Sequence, residues 1–157
     1  MDVCVRELLD SDVPKWSSFG PEQEQLRDTL ARVSRGAAEC LVAEIAGGRI
    51  VGKVRIDYED RPGVGTIMQF DVVPDQRSRG VGTTLMRHAE QRVRARGLRT
   101  AEIGVETNNP RALALYERLG YTAYAVEPES WTQHHPDGTE YLYKTECTLL
   151  RKAIEVS

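Results

Sequence analysis

Between residues 65 and 126 the chain alternates strand and helix signals, and this alternation limits the fold more than any other feature. A strand pattern over 65–73 stops at Pro74, and a helix pattern over 80–96 is closed by Gly97. A strand at 100–105 follows. Asn108-Asn109-Pro110 then opens a second helix, an Asn cap with Pro at the first helical position, which ends at Gly120. A strand near 121–126 completes the series. Strands joined through a helix run parallel, because the helix carries the chain back to the edge it started from. The middle of the chain is therefore a βαβ core.

The flanks read as hairpins. Val3, Val5 and Leu8 suggest a short first strand, and Asp10-Ser11-Asp12 can cap a helix after it. Pro21 starts a helix to about residue 34, with Leu26, Leu30 and Val33 at helical spacing and Gly36 as its stop. Strands at 40–46 and 50–58 flank Gly47-Gly48, a hairpin signal. Asp60-Arg61-Pro62-Gly63 is turn chemistry, and Pro136-Asp137-Gly138-Thr139 turns the chain into a last strand at 140–149. A length of 157 residues suits one domain, spanning 1–157. The expected fold is α/β: a mixed, mostly antiparallel sheet with a central parallel βαβ unit and helices on both faces.

Composition removes several function classes. A net charge of -3 argues against a general nucleic-acid binder. Cys4, Cys40 and Cys147 are few and far apart, which suits a reducing compartment, with no zinc spacing; all three read as small buried hydrophobes. No apolar run is long enough to span a bilayer, and the charged N-terminus from Met1 resembles neither a signal nor a transit peptide. These features predict a cytoplasmic protein without metal or membrane partner.

The first strand-to-helix junction carries the chemistry. It reads Val72-Val73-Pro74-Asp75-Gln76-Arg77-Ser78-Arg79-Gly80-Val81-Gly82-Thr83-Thr84. Glycines let backbone amides approach a ligand, and the first amides of a helix have no internal partner and sit at its positive end. Such a junction can hold an anion, with Thr83 and Thr84 as hydroxyl donors and Arg77 and Arg79 as charges; a pyrophosphate fits. It can equally be a tight turn and nothing more. Two known phosphate loops are excluded: no Gly-Lys-Ser/Thr follows, and Leu85 stands where a dinucleotide fingerprint has its third glycine.

On the second helix, Ala112, Leu115, Tyr116 and Leu119 share one face. An aromatic there is ordinarily core, yet Asn109 lies two turns earlier on the same side. In parallel βαβ units ligands bind beyond the carboxyl ends of the strands, where both Asn109 and the glycine loop sit.

These elements resemble the GNAT superfamily of CoA-dependent N-acetyltransferases over about residues 65–125. Arg77-x-x-Gly80-x-Gly82 matches its Arg/Gln-x-x-Gly-x-Gly/Ala signature. Phe70-x-Val72-x-Pro74 looks like its cofactor strand, and Asn109-x-x-Ala112-x-x-x-Tyr116-Glu117-x-x-Gly120-Tyr121 like its second motif. The resemblance implies a GNAT-like sheet splayed by a bulge at the cofactor strand, with acetyl-CoA as cosubstrate. Amides from Arg77 through Thr83 would hold the pyrophosphate. The backbone of Phe70 to Val73 would pair with the pantetheine arm, and the Val72 amide would bond the thioester carbonyl. Asn109 would bond near the pantetheine end, and Tyr116 would protonate the departing thiolate. Amides suit a tetrahedral oxyanion and a phenol suits a thiolate.

The acceptor amine must lose a proton, since its ammonium has a pKa near ~10. Family members often carry a carboxylate or histidine near residues 66–71; here Gln69 and Asp71 stand there. Asp71 is the first candidate base, equally readable as a surface carboxylate, and Glu106 the second; Asp57 and Glu59 could also reach. His134 and His135 sit in a polar loop beside Pro136 and rank low. Asp57, Glu59 and Asp60 would favour a cationic amine if they faced the acceptor, though a solvated hairpin end is the commoner reading. Trp16, Phe19 and Trp131 are candidate pocket walls or simply packed. One of Arg87, Arg92, Arg94, Arg96 and Arg99 could meet the 3′-phosphate, or all could serve solubility. The acceptor would be a small-molecule or peptide amine; the rival reading is a catalytically degenerate acyl-CoA-binding regulatory module. Dimerisation is common in the family, and a homodimer is compatible with this sequence.

Overall fold

The computed structural model describes residues 2–155. Met1 and residues 156–157, which the expected domain span includes, lie outside the described residues.

Gly47 and Gly48 take the left-handed backbone that a tight hairpin needs, at φ 88° and 79°. They turn β2 (Ala38–Ile45) into β3 (Arg49–Asp57). β1 (Cys4–Glu7) pairs antiparallel with β2, and β4 (Gly65–Val72) with β3. α3 (Val81–Ala95) carries the chain back, so β5 (Thr100–Glu106) runs parallel to β4. After α4 (Pro110–Arg118), β6 (Thr122–His134) takes the far edge, and β7 (Glu140–Ala153) inserts between β5 and β6, antiparallel to both. The sheet is open, with order β1-β2-β3-β4-β5-β7-β6 and a single parallel pair at its centre. This is the expected mixed α/β architecture. No helix among the described residues is long and apolar enough to cross a membrane.

Alternation along β2 sorts the two faces. Leu41 and Ala43 join a core with Ile56, Ile67 and the α3 stripe Leu85, Ala89 and Val93. Cys40 and Val42 join a second core with Val13 and Leu26. Thus α3 covers one face, while α1 (Val13–Trp16) and α2 (Gly20–Ser34) cover the other. Burying each large apolar side chain contributes about 1.5–3 kcal/mol.

Three local expectations need correction. Asp12 does not cap α1 with its side chain. Residues Asp10–Asp12 form their own 3-10 turn, and the Asp12 carboxylate accepts from the Leu9 amide at 2.8 Å and from Arg6 at 2.7 and 2.9 Å. A buried carboxylate takes a guanidinium over a solvated cap. The β6–β7 hairpin runs further than its sequence pattern, because cross-strand pairing continues from Thr122↔Arg151 to His134↔Glu140 through polar positions and Pro128. Cys40 and Cys147 are buried, but Cys4 is exposed on the edge strand.

Gly65 tests the packing of α3. A Cβ there would lie 2.5 Å from Val93 Cγ2 and 3.3 Å from Ile56 Cγ2. Gly65→Ala is expected to cost about 1–3 kcal/mol through overpacking, read from the denaturant midpoint. An unchanged midpoint would mean that α3 is not seated on β4 in this way.

Candidate active site

Beyond Val72 the chain turns through Pro74–Gln76 and enters α3 at Gly80. The two glycines do different work. Gly80 has φ 84° with open space around it, so it supplies the backbone conformation. A Cβ on Gly82 would sit 3.0 Å from Phe70 Cζ, so Gly82 lets the first turn of α3 lie against the Phe70 ring. The Thr84 amide bonds Gly80 O at 3.0 Å, the first bond of the helix. The amides of Val81, Gly82 and Thr83 precede it and have no helical partner. With the positive end of the helix they can receive an anion.

Other parts of the loop are already committed. The Thr84 hydroxyl donates to Gly80 O at 2.9 Å, so it is not the free ligand donor expected of it. The Val81 side chain is buried, leaving only its backbone for a ligand. Arg77 Nε donates to Val72 O at 2.9 Å, and Nη2 lies 3.5 Å from Asp71, which ties this guanidinium to the end of β4. Arg79 is exposed. Ser78 takes φ 63°, an uncommon conformation for a residue with a side chain.

A groove of about 790 Å³ runs from this loop to α4. It is lined by Phe70, Asp71 and Val72 of β4, by Arg77, Ser78, Gly80, Gly82 and Thr83, and by Asn109, Ala112 and Tyr116. Elements widely separated in sequence therefore meet on one surface. Val73, Arg79, Val81, Thr84 and Glu106 are not in this lining. The Val73 amide bonds Val51 O at 2.9 Å, toward β3, so it is not available to a cofactor arm as expected. Strand alternation turns the neighbouring Val72 amide the other way.

That other way is open. β4 and β5 pair only over Gly65↔Ala101, Thr66↔Glu102 and Ile67↔Ile103. Farther on, β4 keeps β3 and β5 keeps β7, but they lose each other. The cause is a bulge: Lys53 faces Asp71 and Arg55 faces Met68, so β4 carries one extra residue between them, and Gln69 sits at φ 51°. The expected splay is present.

The two faces of this opening hold different groups. Phe70 and Tyr116 lie on the α3 face, ring centroids 6.2 Å apart, with Tyr116 6.4 Å from Tyr121. Tyr116 is buried and its hydroxyl has no hydrogen bond among the described residues. Burial pushes its phenol up to about 12. Asn109 accepts from the Ala112 amide at 3.2 Å through its side-chain oxygen, leaving the amide nitrogen for a ligand.

The carboxylates lie on the other face. Lys53, Arg55 and Asp57 alternate along β3 toward α2, where Arg55 reaches Thr29 at 3.4 Å. Asp71, opposite Lys53, shares that face; it lines both the groove and a small pocket with Trp16, Glu22, Gln25, Leu26 and Lys53. Glu102, opposite Thr66, and Glu106 four residues on also share it. Glu106 ends β5 and accepts from the Tyr143 hydroxyl at 2.6 Å. Asp71 and Glu106 thus stand on the two walls of the opening.

Asp57 does not reach this site. It pairs with Thr66, at the opposite end of β4 from Asp71. Burial raises its carboxyl, but Arg55 at 2.7 Å and the amides of Asp60 and Glu59 outweigh that and hold it below its ordinary value. Glu59 pairs with Arg35. The acidic run therefore organises a hairpin end. Nor do the α3 arginines all stay free: Arg92 bonds Glu7 and Glu39, Arg94 bonds Glu155 O, and Arg96 bonds Gly36 O over the Tyr58 ring. His134 ends β6 edge-on to Phe19 at 6.5 Å, rather than lying in a loop, and His135 stacks on Tyr141. Trp131 leans on Tyr143 at 5.2 Å.

Four groups escaped the sequence reading. Arg111 and Arg118 line the groove from α4, and their seven-residue spacing was the available signal. Gln76 lines it too, with an unpartnered buried Oε1. Tyr143 reaches Glu106 from β7, a pairing across 37 positions with no local signature.

The family model described as "Acetyltransferase (GNAT) family" matches residues 5–121. Among solved structures, the ribosomal-protein-S18-alanine N-acetyltransferase from Escherichia coli superposes with TM-score 0.74 at 17% identity, covering 99% of this chain and 96% of that one. A ribosomal-protein-alanine N-acetyltransferase from Brucella melitensis gives 0.73 at 19%, covering 96% and 99%. A spermidine/spermine N-acetyltransferase from Vibrio cholerae gives 0.71 at 18%, covering 96% and 92%. At these identities the likeness is one of fold.

The Tyr116 environment makes a pH prediction. Its phenol is raised from 10.0 to about 12, so the folded state favours the neutral form. The stability this contributes is complete below pH 10 and fades as pH rises toward about 12. Tyr116→Phe should flatten the alkaline fall in the denaturation midpoint; an unaltered alkaline limb would show that the ring is not held in this environment.

Proposed function

We propose that this chain, which belongs to the acetyltransferase (GNAT) family, is an acetyl-CoA-dependent N-acetyltransferase that moves an acetyl group by direct attack of a primary amine. The observation that carries this reading is the single groove joining the unpaired α3 amides to the unpartnered Tyr116 hydroxyl beside the opening between β4 and β5. The residues present fit the donor. The Gly80 turn and the absence of a Cβ on Gly82 leave room at the amides, and Gln76, whose buried Oε1 has no partner among the described residues, lines the same groove.

Acetyl-CoA supplies, when bound, an acyl group activated as a thioester. The amides of Val81, Gly82 and Thr83 would hold its pyrophosphate, with Arg111 and Arg118 as further charges at the groove. Phe70 to Val72 would offer backbone to the pantetheine arm, and the Val72 amide would donate to the acyl carbonyl. Asn109 would donate from its side-chain nitrogen. Tyr116, held neutral at working pH, would give its proton to the departing sulfur.

Deprotonation of the amine falls to the other face. Asp71 is the first candidate base because it borders both the groove and the pocket under Trp16. Glu106 is the second, oriented by Tyr143. Amine acceptors also appear in the names of similar structures, alanine of ribosomal proteins and spermidine/spermine. We assign a primary amine of a small molecule or peptide as the acceptor class and the cytoplasm as the place of action.

Free-thiol release from acetyl-CoA, with polyamines, aminoglycosides, amino acids and peptides as acceptors, tests this. Tight CoA binding without release for any amine would favour a regulatory acyl-CoA-binding module instead. With an active amine in hand, Tyr116→Phe should lower kcat about 100-fold and leave the CoA Kd unchanged. An unaltered kcat would return Tyr116 to the core. Of Asp71→Asn and Glu106→Gln, the one that removes the acidic limb of the kcat/KM profile identifies the base.

A further inference from the structure

Lys53 is the least expected group near the opening. The residue is 8% exposed, on a β3 position that faces α2 rather than solvent. A lysine is rarely buried to that degree without a partner. Burial draws its ammonium below the ordinary value, opposed by nearby Cys40, Asp71 and Glu22. Its one hydrogen bond among the described residues runs from Nζ to Gln69 O at 3.1 Å, and its ammonium lies 5.5 Å from the centre of the Trp16 ring.

Gln69 is the residue that makes the bulge. It occupies φ 51°, a conformation that costs a residue with a Cβ about 1–3 kcal/mol unless its surroundings hold it. The register between β3 and β4 slips at the same place, between Lys53 and Arg55. Lys53 therefore stands opposite the slip and bonds the carbonyl of the strained residue. β4 leaves β5 after Ile67, just before that residue, and beyond it the groove opens along Phe70 and Val72.

We propose that Lys53 is a positioning residue: its ammonium clamps the Gln69 carbonyl, holds the β4 bulge in its left-handed form, and thereby keeps the opening between β4 and β5 at the width the donor site requires. The clamp acts through backbone. The Trp16 ring lies beside the ammonium, its centre 5.5 Å away. For its functional consequence the proposal rests on the acetyl-CoA reading; its structural consequence does not.

Two measurements separate these. Lys53→Met keeps the apolar stem and removes the donor. Without any ligand, amide hydrogen exchange should quicken at Asp71 and Val73, the amides past the bulge that face β3, and stay unchanged along β2. With ligand, the CoA Kd should rise about tenfold, the effect of losing one charge-assisted hydrogen bond. Glycine adopts positive φ without strain, so Lys53→Met combined with Gln69→Gly should recover most of that affinity. Unchanged exchange at Asp71 and Val73 in Lys53→Met would overturn the clamp. So would failure of Gln69→Gly to rescue CoA binding, or a rise in the amine KM alone, which would make Lys53 an acceptor contact. If the wild-type chain binds no CoA at all, the donor reading fails, and the exchange experiment still decides the clamp.

Discussion

The groove between the α3 loop and α4 depends on one missing set of hydrogen bonds. A parallel pair that stayed zipped from Gly65 to Val72 would leave no room between β4 and β5. The extra residue at the bulge ends the pairing after Ile67, while β3 and β7 go on satisfying the outer edges of the two strands. Unpaired backbone at the centre of a sheet is costly when buried, and a ligand that brings its own amides can satisfy it. The sheet is therefore built short of its full complement at the place where a polar, extended ligand can supply the remainder.

The face that carries α1 and α2 is more charged than an ordinary helix-covered sheet. Lys53, Arg55 and Asp57 follow one another along β3, all buried. Arg55 and Asp57 pair with each other and reach Thr29 and Arg32 of α2, although Arg55 Nε is left without a partner among the described residues. Such pairs contribute little net stability, since desolvation offsets attraction. They do fix how α2 seats on the sheet, because a shifted helix would strand buried charges. The small pocket between Trp16, Glu22 and Asp71 depends on that seating. Polarity on this face thus serves geometry near the opening more than it serves stability.

Much of this was legible in the sequence, for identifiable reasons. The strand-helix alternation, the Asn109-Pro110 opening and the Gly47-Gly48 hairpin are local signals, and each produced the element expected. The glycine loop was legible because its chemistry is backbone chemistry: conformation at Gly80 and space at Gly82. Local reasoning failed where tertiary partners decided the outcome. Asp12 looked like a cap and became the partner of Arg6. β6 looked complete at residue 126 and was drawn out to His134 by its pairing with β7. The acidic run at Asp57 to Asp60 had two readings, a substrate lure or the commoner hairpin end, and only tertiary register decides for the hairpin end, setting Asp57 opposite Thr66 and folding it around Arg55.

The same distinction explains why the donor is easier to read than the acceptor. In the proposed reading donor recognition uses a contiguous stretch, Phe70 to Thr83, supplemented by one helix, so its spacing survives as a motif. The proposed acceptor face is assembled from Trp16 and Glu22 near the N-terminus, Asp71 on β4, Glu106 on β5 and Tyr143 on β7. No two of these neighbour each other in sequence, and each alone is an ordinary surface or core residue. Their chemistry exists only once the sheet order places β7 beside β5 and α1 over β3. Because those side chains lie on separate elements, they can change without disturbing the phosphate loop or the bulge. Acceptor choice can therefore vary on a constant donor site, and specificity in this chain must be sought in contacts made across the fold rather than in any motif along it.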